Sequence, residues 1–253
     1  MLGLKTLLRV LILLLLIVNL SSFIYVYTES ENLEKVLVTR AIDGDTIETV
    51  SERVRLLDIN TPERGKAGYE EAKNFLAKLD GSEVELYGGG YDKYSRKLAY
   101  VFFEGKLVNE EILELGLGTL YYYDKGKYTE RLEKAEKKAR DAKIGLWARS
   151  EEDCGKCIEL IEIENDPFLV ECEAKFEFVK IRNKCDFDCD LSGWEMKDDA
   201  NHIYKFEMTL EKDLDVSIFS SDIQRGCQGV WNDDRDSVYI RDKEGKLVIF
   251  QRY

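Results

Sequence analysis

Histidine is almost absent: the chain holds one, His202, in 253 residues. Acid–base chemistry built on a histidine pair is therefore excluded, which leaves a carboxylate or a metal-bound water wherever a base is needed. Cysteine is missing from the first 153 residues, and all six (Cys154, Cys157, Cys172, Cys185, Cys189 and Cys227) come after them. A surplus of basic charge is lacking as well. The net charge is −13, which argues against a polyanionic partner for the chain as a whole. That deficit is uneven, however. Residues 36–149 carry 20 Lys and Arg against 21 Asp and Glu, whereas residues 150–253 carry 14 against 26. The first segment is thus free to form a local basic site. Apolar content of 44% supports a packed core, and the length suits two small domains.

Residues 1–28 place Lys5 and Arg9 ahead of a leucine-rich run, Val10 to Val18, with further apolar residues to Tyr27. Positive charge before an apolar core is the order of a secretory signal. No A-x-A-like cleavage site follows, and Leu7 to Tyr27 is long enough for a bilayer core of ~30 Å. Glu29, Glu31 and Glu34 come next, which sets the N-terminus inside and the body outside. A cleaved signal peptide and an uncleaved signal-anchor helix both stay open. Either way, the body is expected to be extracellular or membrane-anchored. Residues 29–35 read as a polar linker.

The stretch 54–65, VRLLDINTPERG, carries Arg55 on a hydrophobic strand, breaks at Pro62 and presents Glu63 at once. Such a strand delivers a cation and a carboxylate to one end of a sheet. Two further motifs flank it: Asp43-Gly44-Asp45-Thr46 upstream and Asp92-Lys93-Tyr94-Ser95-Arg96 downstream. Taken singly, each has an ordinary reading as a turn, a solvated strand residue or a charged loop. Apolar periodicity predicts strands at 36–42, 46–50, 53–59, 83–87 and 97–103, and helices at 68–78, 108–115 and 129–142. The last helix reads as a solvated face, and Tyr121-Tyr122-Tyr123 as strand packing. The order suits a small closed barrel with helices packed on it.

These motifs, together with Lys97 to Val101, Val108-Asn109-Glu110 and Gly145-Leu146-Trp147, resemble the staphylococcal nuclease-like (thermonuclease) family over residues 36–149. The resemblance implies an OB-fold barrel of five strands with three helices, and a Ca²⁺-dependent phosphodiesterase that cleaves DNA and RNA. It further implies that Arg55 and Arg96 grip phosphate and that Glu63 is the general base or orients the water. By position, Asp45 and the Thr61 carbonyl match calcium ligands, and Asp43 stands behind them as a supporting carboxylate. Lys93 and Tyr122 match nucleotide-contacting positions. At residue 60 the family most often has a second metal-binding aspartate; here Asn60 offers an amide oxygen without charge. Asp58, two residues earlier, shares the side of residue 60 if the strand is regular. The chemistry is coherent on its own terms, because planar guanidinium groups and a divalent cation stabilise charge developing on phosphate oxygens. The alternative is a non-catalytic OB-fold module that holds nucleic acid or protein at the cell surface.

After a charged linker, 150–156, short strands separated by Asp, Asn and Gly turns predict a β-sandwich over residues 157–253. The segments 177–183, 190–194 and 230–238 resemble the lamin-tail family, which implies an immunoglobulin-like sandwich that binds or positions something without catalysis. Fold class is therefore mostly β with α: an OB barrel, then a sandwich. Six cysteines in an exported chain favour disulfides, with fifteen possible pairings. A metal site on Cys154, Cys157, Cys185 and Cys189 is the competing reading. Asp198-Asp199 and Asp233-Asp234 with Asp236 are solvated loops or cation ligands. The sandwich is expected to tether the enzyme to a surface or protein partner.

Overall fold

The computed structural model describes residues 33–121, 125–165, 176–227, 229–231 and 235–253. The leader, Tyr122, Cys172 and the Asp233-Asp234 pair lie outside the described residues. Among the described residues, no helix is long and apolar enough to cross a membrane.

The first domain is a closed barrel. Strand β1 (Glu34–Ala41) pairs antiparallel with β2 (Thr46–Thr49), which pairs with β3 (Arg53–Leu56). A two-residue strand β4 (Ile59–Asn60) follows, then helix α1 (Tyr69–Leu76), which buries Tyr69, Ala72 and Leu76. Strands β5 (Glu83–Tyr87) and β6 (Lys97–Phe103) continue the sheet from β1, with β7 (Lys106–Leu107) at the margin. Parallel pairing of β3 with β6, Arg55 opposite Leu98, closes the five-stranded ring. Alternate residues such as Val38, Ile47, Val54, Val84 and Val101 fill the inside. Helix α2 (Val108–Glu114) covers one end, β8 (Thr119–Leu120) pairs with β4, and α3 (Thr129–Ala142) closes the domain.

The continuous strand expected over 53–59 is two strands. Leu57 and Asp58 form a corner, and Asp58 adopts a left-handed φ of 60°. Asn109, fully buried, holds that corner: its Nδ2 donates to Leu57 O at 2.8 Å, and its Oδ1 accepts from Val101 N at 3.0 Å. Asp58 consequently does not share a strand face with Asn60. Its carboxylate accepts a hydrogen bond from the Tyr100 hydroxyl, and burial raises its pKa. The solvated face expected for α3 also needs correcting, because the helix buries Leu132, Ala135, Glu136 and Ala139.

The second domain is a sandwich. Its strands are β9 (Ile158–Glu164), β10 (Phe178–Asn183), β11 (Cys189–Asp190), β12 (Glu195–Lys197), β13 (Ile203–Lys205), β14 (Thr209–Leu210) and β15 (Asp215–Phe219). A short helix α4 (Ser220–Ile223) precedes β16 (Ser237–Arg241) and β17 (Leu247–Arg252). One sheet runs β15-β10-β9 and the facing one β13-β12-β16-β17, with the β11–β14 pair beside them. Val179, Ile181, Trp194, Met196, Phe206, Val238 and Ile240 form the core between them. Disulfides join Cys154 to Cys189 and Cys157 to Cys185, so these four thiols staple the first strand to the β10–β11 region instead of forming a metal site.

The two domains are packed together. Residues 148–150 run alongside β17, with Leu247 N donating to Ala148 O and Ser150 N to Leu247 O. Ala139 and Trp147 of the barrel share a buried cluster with Tyr239 and Leu247 of the sandwich. At its edge Arg252 Nη1 meets Glu136 Oε2 at 2.5 Å, while Glu136 Oε1 caps Leu120 N at 2.8 Å.

Candidate active site

Barrel closure brings the separated motifs to one rim. The turn from β1 to β2 holds Asp43 and Asp45, the outer end of β3 carries Arg55, and β4 leads through Asn60 and Thr61 to Glu63. Gly44 makes this convergence possible: a Cβ there would lie 2.6 Å from Ala72 Cβ and 2.7 Å from Thr61 Oγ1, so α1 and Thr61 could not approach.

Asp45 is the hub. Its Oδ2 accepts from both Thr61 N and Thr61 Oγ1 at 2.9 Å, and its Oδ1 lies 3.1 Å from Arg55 Nε. Arg55 is largely buried and spreads across three partners: Asp45, Leu56 O through Nη1 at 2.5 Å, and Asn60 Oδ1 through Nη2 at 2.6 Å. A planar guanidinium carries five N–H donors, so each terminal nitrogen keeps one for an incoming oxygen. Arg96 arrives on the turn before β6. Asp92 Oδ2 holds its Nε at 2.7 Å, and Nη1 donates to Thr46 Oγ1 at 3.3 Å. Thr46 in turn donates to Asp45 Oδ1 at 3.2 Å, so one hydrogen-bonded path ties both arginines to the same carboxylate.

Glu63 differs from these groups. It stands exposed on the loop after Pro62, and among the described residues its carboxylate has no hydrogen-bond or ion-pair partner. Asp43 sits behind the hub, where its Oδ1 accepts from Asp45 N at 3.1 Å. Burial raises the Asp43 pKa, and the neighbouring Asp45 charge raises it further. Lys93 is exposed, with its ammonium 5.2 Å from the Tyr94 ring centre, and it is not drawn into the Asp45 network.

The donor set fits a hard divalent cation. The Asp45 carboxylate, the Asn60 amide oxygen and the Thr61 carbonyl are the residues that would hold it. The mutual repulsion of Asp43 and Asp45 marks a concentration of negative charge that such an ion would relieve. Arg55 now contacts two of these oxygens, so ion and guanidinium compete for them.

Sequence motifs did not announce the far wall of the site. Asn60 Nδ2 donates to Asp199 O at 2.9 Å, and Lys66 Nζ binds Glu195 Oε1 and Oε2 at 2.5 and 2.7 Å. Both bonds cross from barrel to sandwich. Together they bound a cleft of about 260 Å³, lined by Asn60, Thr61 and Glu63 on one side and by Glu195, Lys197 and Arg241 on the other. Such partners lie some 130 residues apart in sequence and carry no local signature.

Residues 53–149 match the family described as Staphylococcal nuclease homologue, and residues 152–253 match the Lamin Tail Domain. An uncharacterized Bacillus anthracis protein is 44% identical over 124 residues, 42% of this chain and 57% of its own length. Endonuclease YncB of Bacillus subtilis is 33% identical over 136 residues, covering 47% of this chain and 64% of that protein. The Thermonuclease of Staphylococcus intermedius is 35% identical over 130 residues, covering 46% and 77%. The chain thus spans less than two thirds of the first two relatives.

Proposed function

The chain belongs to the staphylococcal nuclease homologue family through its barrel, with a lamin tail domain behind it, and from that premise we propose that it is an exported, Ca²⁺-dependent nuclease that hydrolyses phosphodiester bonds of DNA and RNA. The observation that carries this reading is the division of labour at the rim: two arginines tied to one carboxylate hub, and one glutamate with no partner among the described residues.

In this reading the remaining N–H groups of Arg55, and Arg96 Nη2, which has no partner among the described residues, bind the non-bridging oxygens of the scissile phosphate. As negative charge grows on those oxygens, the fixed guanidinium groups stabilise it without having to move. Glu63, unencumbered and at the cleft mouth, takes the proton of the attacking water or orients that water. A bound Ca²⁺ would supply further positive charge beside the phosphate. Asp45 keeps Arg55 aimed while Thr61 keeps Asp45 in place. The leader is read as exporting the chain or anchoring it in a membrane, and the sandwich as its tether to a surface or protein partner.

The test is cleavage of single- and double-stranded DNA and of RNA by the full chain, titrated with Ca²⁺ and chelated as a control. Cleavage should require the ion, and Arg55→Ala should lower kcat/KM by roughly 10²–10³-fold, as loss of one electrostatic donor does elsewhere. Binding without cleavage in Ca²⁺, Mg²⁺ and Mn²⁺ would instead establish the non-catalytic module.

A further inference from the structure

The sandwich carries into the cleft a cation that forms no close ion pair among the described residues. Lys197, at the end of β12, is half-buried; its Nζ donates to Asn201 Oδ1 at 2.8 Å and lies 5.2 Å from the centre of the Tyr239 ring. Among the described residues no carboxylate lies within ion-pair distance of it. The other cations lining the cleft are engaged. Lys66 is paired with Glu195, Lys243 with Glu152 at 3.1 Å, and Arg241 spends its Nη1 on the carbonyls of Leu146 and Gly245.

Holding a partly desolvated ammonium with no carboxylate in contact is unfavourable. Burial lowers its pKa to about 8, and the neighbouring Arg241 on β16 pushes the same way; Asp199, Asp198 and Glu63 oppose it. Such a group is stabilised by an anion arriving from outside. Lys197 and Glu63 line the same cleft, which opens beside Asn60 and Thr61 and does not include Arg55 or Arg96, so a strand bound at Glu63 and continuing into it would meet the ammonium. Tyr239 and Asn201 fix the ammonium in place before any ligand comes.

We propose that the lamin tail domain completes the substrate groove of the barrel, with Lys197, tethered by Asn201 over Tyr239, binding a backbone phosphate of the nucleic-acid strand next to the one held at Arg55 and Glu63. This subsite deepens the nuclease reading and rests on it for the identity of the polyanion. It also gives the acidic sandwich, net −12 over residues 150–253, a local role in holding nucleic acid that its overall charge conceals.

The experiment measures binding of a fluorescent single-stranded oligodeoxynucleotide to full-length Glu63→Gln protein, over a range of salt and pH. Adding Lys197→Gln should weaken binding by roughly 5- to 20-fold, the worth of one charge-assisted contact. It should also reduce the slope of log Kd against log salt by about 0.7, one phosphate on a single strand. Lys197→Arg should retain most of the affinity. Asn201→Ala, which leaves the charge but cuts its tether, should cost about 2- to 5-fold and serves if Lys197→Gln does not fold. Since the ammonium is charged below its pKa, the advantage over Lys197→Gln should shrink as pH rises through about 8. Equal affinity and equal salt slope in Lys197→Gln, or in Asn201→Ala where that variant stands in, would overturn the subsite. Failure of wild-type protein to cleave would overturn only the catalytic reading, because this binding assay does not use turnover.

Discussion

The barrel rim and the sandwich both hold carboxylates, and they treat them differently. In the sandwich each one is closed off by its own surroundings. Asp236 accepts from Asp199 N and Ser237 N, Asp242 from Glu244 N and Lys246 N, Glu177 from Val230 N and Trp231 N, and Asp198 from the backbone and ring of His202. Such groups fasten turns. The Asp198 and Asp236 carboxylates, which could be read in the sequence as cation ligands, are occupied in this way. At the barrel rim Asp45 is satisfied partly by a cationic side chain, Arg55, and among the described residues nothing pairs with Glu63. Acidic content therefore does not mark a site; a carboxylate that its surroundings leave open does.

That contrast is sharpest at Glu63, where the largest effect is expected. Glu63→Gln should lower turnover by roughly 10²–10⁴-fold while leaving thermal stability nearly unchanged, because the side chain is exposed and has no partner to lose. The opposite pattern is expected of Asp236→Asn in the sandwich, where two backbone N–H groups would lose their charged acceptor. Measuring kcat and the melting temperature of both variants checks the pair. A stable, fully active Glu63→Gln protein would remove the distinction.

The next effect in size belongs to the joint between the domains. Glu136 is 1% exposed and holds Arg252 from one side and Leu120 N from the other. Arg252→Met removes the nearer of two cations and leaves Glu136 only Arg140 Nη1 at 3.4 Å, so the loss should approach the low end of the about 3–5 kcal/mol that breaking a buried pair costs. Urea unfolding of the full chain should show the loss, with barrel and sandwich parting into two transitions. A single transition at the wild-type midpoint would mean that the Trp147, Tyr239 and Leu247 cluster and the Asn60 and Lys66 bonds couple the domains without Arg252.

Much of this was legible in the sequence, for physical reasons. Alternation places Val38, Ile47, Val54 and Val84 inside, and helical spacing places Tyr69, Ala72 and Leu76 on one face, so the barrel and its helices could be read directly. The rim residues could be read because they cluster in three short motifs. Three features could not. The corner at Asp58 depends on Asn109, some 50 residues away, holding the Leu57 carbonyl. Burial of Glu136 depends on Arg252, 116 residues on. The cleft wall depends on how two domains dock, and neither Lys197 nor Asp199 sits in a motif that says so.

Asn60 joins both halves of the comparison, since it touches Arg55 with its oxygen and the sandwich with its nitrogen. Asn60→Asp adds a negative charge to the candidate ion site, but an aspartate cannot donate to Asp199 O. Two effects of opposite sign should follow. Ca²⁺ binding, followed by calorimetry, should tighten by on the order of tenfold, because affinity in such sites rises with ligand charge. Stability should fall by about 1–3 kcal/mol, because the Asp199 carbonyl loses its donor and faces a carboxylate oxygen. At this chain length each kcal/mol is roughly 2–4 °C in melting temperature. Tighter metal binding with no loss of stability would show that the Asn60 amide serves the ion site alone. Loss of stability with no gain in affinity would show that its place between Arg55 and the sandwich decides which residue the position tolerates.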